Sequence, residues 1–205
     1  MQTMESLSPG RRKRLHRSSA AQFLASLESG CSADDLKKID WSILDTVPHW
    51  CFSENLARDR LQLVCGTVFL APLIAQWIDG GLLKQARALV GAPYFDAAML
   101  VGSDRTLTKN VNASEPVPEL LASAGASVLV YSVEHPVIRN LLADQFPMNV
   151  ETIDTNIASS VYQLALDIVD RIQSQLAAAH NVQMNTEDSR ASTDAAADVQ
   201  EASSI

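Results

Sequence analysis

The chain offers little of what catalysis usually needs. Its 205 residues hold three cysteines (Cys31, Cys51, Cys65), an odd number with no CxxC pair, which excludes a disulfide framework and a cysteine-rich zinc module. The four histidines, His16, His49, His135 and His180, are scattered, and none stands four residues from another. The GxSxG, GxGxxG and GxxxxGK[ST] patterns are all absent. That removes the nucleophile elbow, the dinucleotide turn and the phosphate loop. No apolar stretch lies between Met1 and Ser19, so no signal peptide is expected, and the thiols should be reduced in a cytoplasmic protein.

What the chain does have is enough apolar residue to fold. A hydrophobic fraction of 47% suits a chain that buries a core. A net charge of −8 argues against binding nucleic acid over the whole surface. The charge is uneven. Between Met1 and Arg17 stand Arg11, Arg12, Lys13, Arg14 and Arg17 against Glu5, whereas beyond Asn181 stand Glu187, Asp188, Asp194, Asp198 and Glu201 against Arg190. The last segment is otherwise Ala, Ser, Thr and Gln, too poor in large apolar groups to offset its ordering entropy. The expected layout is a flexible basic arm over 1–17, a helical domain over 18–180 and a disordered acidic tail over 181–205.

Periodicity predicts an all-α domain, a compact multi-helix body. A first helix is expected from about Arg14 to Glu28, stopped by Gly30. A second starts after the N-cap Ser32, with a stripe of Leu36, Ile39, Ile43, Leu44 and Val47 and an end at Pro48. Ser53 opens a long segment to Ile78, which Pro72 must kink or restart and Gly80-Gly81 end. Leu82–Val90 is a helix closed by Gly91, and Pro93 starts the next, through Leu100. Gly102–Pro118 reads as an exposed loop. Glu119–Val133 is read as helix, although Ser127–Val133 alone could be a buried strand. Pro136 opens a helix to Gln145. In the last helix Ile153, Ile157, Val161, Leu164, Ile168, Ile172 and Leu176 recur at steps of three or four, with Asp167 and Arg171 outside.

Several local patterns have both a functional and a bland reading. Leu61–Ile78 is 18 residues without a charge, the lower limit of a membrane span, but a helix buried on all sides gives the same pattern. As a buried spine it should carry Phe69 and Trp77 in the core. The run of Arg11, Arg12, Lys13, Arg14 and Arg17 is a docking patch for phosphates or anionic surfaces, or a solvated arm; no aromatic interleaves with it to stack on bases. His49-Trp50-Cys51 places two metal-ligand types together, short of the three or four that a site needs. Cys51 and Cys65 need a neighbouring base to act as nucleophiles, and free cysteine is more often a small core residue. Glu134-His135-Pro136 fits an acid pair or a helix boundary. No catalytic set, cofactor site or metal site is expected from these residues.

One stretch carries a likeness. Leu56-Ala57-Arg58-x-Arg60, Leu70-Ala71-Pro72, Trp77-Ile78-Asp79-Gly80-x-Leu82 and Ala86-Arg87-Ala88-Leu89-Val90-Gly91 resemble the SctK family (YscK, OrgA and Hrp-type proteins), cytosolic accessory proteins of type III secretion injectisomes. Arg139 through Phe146-Pro147 is similar to a late segment of that family. The resemblance covers about residues 50–150 and implies a mostly helical, non-catalytic adaptor of the sorting platform. Its partners would be the SctD-like cytosolic domain of the inner-membrane ring and the SctQ-like pod protein, with membrane contact only through the ring. The basic arm and the acidic tail match nothing in that family. Two alternatives of other classes are a nucleic-acid-binding helical regulator that uses the basic arm, and a membrane-anchored protein held by Leu61–Ile78.

Overall fold

Helix-forming sequence between well-placed stops gives the chain its elements. The computed structural model describes residues 8–26, 41–53, 55–103, 115–146, 148 and 153–201, and every regular element among them is helical. They are α1 (Pro9–Ser26), α2 (Trp41–Leu44), a 3-10 turn (His49–Phe52), α3 (Asn55–Ile74), α4 (Gly80–Val90), α5 (Ala92–Gly102), α6 (Val117–Tyr131), α7 (Pro136–Ala143) and α8 (Thr155–Glu201).

The centre of the domain is the crossing of α3 and α6, the most extensive helix pair. Every residue from Val64 to Ala71 on α3 is buried, Gly66 included, and so is every residue from Ser123 to Val130 on α6. Such helices show no amphipathic period because they have no solvent face. This is why 127–133 also resembled a strand. Two glycines let the backbones meet. A Cβ on Gly66 would strike the Leu121 carbonyl, and one on Gly125 would strike the Gln62 carbonyl. Gln62 Nε2 adds a 2.7 Å hydrogen bond to the Ala122 carbonyl across the same contact. The buried hydroxyls are satisfied within their own helices: Thr67 donates to Leu63 O at 2.8 Å and Ser127 to Ser123 O at 2.9 Å. Burying a side chain such as Leu70 or Leu129 completely contributes about 1.5–3 kcal/mol relative to exposure.

Pro72 lies inside α3, two residues before its end. It cannot donate to Val68 O, and the helix stops two residues later, with Gln76 and Trp77 donating back to Leu73 and Ile74 in tighter turns. The Val68 carbonyl lies against α5, where a Cβ on Gly102 would come within 2.6 Å of it. The spine is therefore shorter than expected. Phe69 is buried, Trp77 is only half-buried against the core, and Ile78 is fully exposed. No helix among the described residues is long and apolar enough to cross a membrane.

Gly80 and Gly81 begin α4 instead of ending the segment before it, because Asp79 caps the helix by accepting from Gly81 N at 2.7 Å. Gly91 closes α4 as expected, at φ 92°, a value that side-chain-bearing residues avoid. It also turns the chain directly into α5. Arg87 of α4 and Asp96 of α5 lock this elbow through two bonds of 2.9 and 2.6 Å, and Arg60 of α3 lies 4.7 Å from the centre of the Tyr94 ring. Val117 and Pro118, expected in a loop, form the first turn of α6; residues 104–114 of that loop lie outside the described residues.

On α8, Asp154 caps the N-terminus by accepting from Asn156 and Ile157. Its stripe holds through Ile172, with Leu164 and Ile157 half-buried, and fails at Leu176, which is 53% exposed. The backbone of α8 continues past 180 to Glu201. From Pro9 onward the basic run forms the first turns of α1, with Lys13 and Arg17 paired to Asp45 on the body. The second helix expected after Ser32 falls mostly outside the described residues; of its described part, 41–44 is helical.

Candidate functional site

The basic run becomes a site only when α1 is laid on the rest of the chain. α1 contacts α2 and the 3-10 turn and buries Ala20 and Leu24 there. Its position is fixed by Asp45, which lies between two cations. Arg17 donates from Nε at 2.6 Å and from Nη2 at 2.7 Å, and Lys13 stands 3.1 Å away. The paired guanidinium hydrogen bonds, with help from Lys13, hold the Asp45 carboxyl well below the usual carboxylate range. Arg17 is correspondingly raised by its bond to Asp45.

Beside this tie lies a cluster that sequence spacing hides. His16 Nδ1 and His49 Nε2 approach to 3.2 Å, and both rings meet Phe52 edge-on, with centroids 5.1 and 5.2 Å apart. His16 Nε2 is buried without a hydrogen-bond partner. Partial burial first, and the charge of His16 second, lower the His49 pKa from its ordinary value. The two histidines, Arg12, Lys13 and Asp45 border an open groove of about 910 Å³, with Val47, Pro48, Tyr162 and Leu166 as its apolar floor. Burial first, then Cys65, Cys51 and Asp170, push the Tyr162 hydroxyl up to about 12, so it stays protonated near neutrality.

Of the patch expected from sequence, the structure thus separates two roles. Lys13 and Arg17 are engaged by Asp45, whereas Arg11 and Arg12 are exposed and meet no anion among the described residues; Arg14 donates to Gly10 O at 3.4 Å. Asp45, His49 and Tyr162 are partners the sequence did not suggest, since Asp45 lies 28 positions from Arg17, His49 lies 33 from His16, and Tyr162 lies far down the chain on α8.

The remaining candidates do not assemble into chemistry. Cys51 and Cys65 are buried free thiols. Burial pushes Cys51 up to about 12 and Cys65 higher still, so neither is a thiolate near neutrality. His49 is exposed while Trp50 and Cys51 point into the core, which breaks up the His-Trp-Cys cluster. No group of three metal-ligating side chains occurs among the described residues. His135 caps nothing with its side chain at the start of α7. Beside it, Arg139 folds back to donate to Val133 O at 2.9 and 2.7 Å and to Glu134 O at 3.3 Å, closing the end of α6. No protein-family model, characterised protein or solved structure matches this chain.

Proposed function

We propose that the chain is a non-catalytic adaptor of a type III secretion sorting platform, cytoplasmic and attached peripherally to the inner membrane through the ring. It would join an SctD-like ring domain to an SctQ-like pod protein. The resemblance over Leu56–Gly91 motivates the reading. The observation that supports it is where large apolar side chains are left uncovered. Leu56, Ile78, Leu82, Leu89 and Leu100 are exposed on α3, α4, α5 and the turn between them, against only Leu15 and Leu176 elsewhere among the described residues. Uncovered apolar groups that share a face favour a protein partner. Leu82 and Leu89 stand two turns apart on one face of α4.

Affinity purification of the full chain from a bacterium that carries a type III apparatus tests the reading. The expected result is recovery of both an SctD-like and an SctQ-like protein, reduced for a Leu82→Asp/Leu89→Asp variant that melts like wild type. Recovery of neither partner by the wild-type chain would remove it.

A further inference from the structure

We propose that the groove between α1, the Asp45–His49 segment and α8 receives the acidic segment 187–201 of a second copy of this chain, so that two copies pair antiparallel along α8. The groove has cationic Arg12 and Lys13 on its rim beside the imidazoles of His16 and His49, over a floor that includes Tyr162 and Leu166. Asp45, the carboxylate that borders it, is already neutralised by Arg17 and Lys13. Arg11 and Arg12 meet no anion among the described residues. A molecule with a net charge of −8 therefore carries a cationic groove that only an anionic occupant complements.

The chain contains such an occupant. Glu187, Asp188, Asp194, Asp198 and Glu201 face a single cation, Arg190, in the same stretch. It does not reach its own groove. α8 is one helix from Thr155 to Glu201, and between Tyr162 and Glu187 it rises about 37 Å at 1.5 Å per residue. The acidic segment is thereby carried away from the α1 that it would complement. A second copy running the other way solves the geometry. With the two-fold axis close to residue 178, Asp194 of one copy lies level with Tyr162 of the other, and Asp198 lies level with Ala158. The axis then passes beside Leu176, a stripe residue of α8 that the domain leaves 53% exposed. The contact is isologous, so both grooves fill at once and the assembly closes as a dimer. The inference stands apart from the adaptor reading, since self-association needs no secretion protein.

Sedimentation of the full chain decides it. A dimer is expected at about 50 mM salt that dissociates toward monomer at about 500 mM, where exposed charges are screened. The Arg11→Glu/Arg12→Glu variant should weaken self-association by about tenfold or more without changing the melt, and Asp194→Lys/Asp198→Lys should do the same. An equimolar mixture of the two variants should recover a mixed dimer, because each supplies the charge that the other has inverted. A wild-type chain that is monomeric at both salt concentrations would overturn the proposal. So would a dimer indifferent to either reversal, or a mixture that stays monomeric.

Discussion

The α3–α6 crossing and the seat of α1 are held by different physics. At the crossing, two helices without a solvent face touch backbone to backbone at Gly66 and Gly125. The stability there comes from apolar burial and close packing, which salt does not screen and protons do not titrate. At α1 the buried apolar contribution is Ala20 and Leu24, and the rest is an Asp45 ion pair and two imidazoles in contact. Salt and protons act directly on such a tie. The crossing is therefore built to stay closed. α1 is attached by interactions that conditions can weaken.

The largest effect should come from the crossing. Phe69→Ala opens a cavity beside it and should cost about 3–5 kcal/mol, read from denaturant melts; a variant that melts like wild type would show that α3 is not the spine. Gly125→Ala comes next. Its methyl meets the Gln62 carbonyl, a backbone atom that moves only if the helices part, so about 1–3 kcal/mol should be lost. Trp77→Ala tests how far the core extends beyond Pro72. Because Trp77 is half-buried, its loss should cost about 2 kcal/mol, clearly less than that of Phe69.

Smaller and local effects should appear at α1. Asp45→Asn removes the charge that Arg17 and Lys13 share. Amide exchange should accelerate along α1 while the α3 and α6 amides keep their protection. Acid should act the same way. The folded pKa of His49 lies below its ordinary 6.5, so the stability this group contributes is fully present above 6.5 and is lost as pH falls through the lowered value. Asp45 works in the same direction further into acid, since its contribution is present above the ordinary carboxylate range and fades only as pH falls through its depressed value. Exchange corrected for intrinsic rates should therefore rise in α1 as pH falls below 6.5, before the rest of the domain responds. Equal loss of protection in α1 and α6 would erase the contrast between the two regions. The smallest effect belongs to Arg12→Ala, which removes an exposed group and should leave the melt within about 0.5 kcal/mol of wild type.

Much of the fold was legible because its stops are local. Gly91, Pro93 and Pro136 act through their own backbone angles, so the ends they set were readable. The stripe of α8 was readable because a half-buried helix shows its period. Misplaced ends arose where a local signal admits two readings or the choice depended on distant atoms. Gly80 and Gly81 can end or begin a helix, and the Asp79 cap decided it. Trp77 and Ile78 looked like core by hydropathy, but α3 stops at Ile74 and leaves them beyond its packed length.

The candidate site was hardly legible. The cations were plain in the sequence, but a cluster of like charges does not name its counterion. Nothing in the spacing joins His16 to His49, Arg17 to Asp45, or either to Tyr162.

By itself, then, the sequence determined the all-helical class, most helix ends and the separation of positive charge at one end from negative charge at the other. These follow from backbone preferences and composition, which act over a few residues. Only the tertiary structure decided which helices are buried on every side, that Gly66 and Gly125 mark the closest approach, and that a basic helix and two distant histidines border one groove. Those facts depend on which surfaces meet, and a contact between residues dozens of positions apart leaves no periodic trace in the chain.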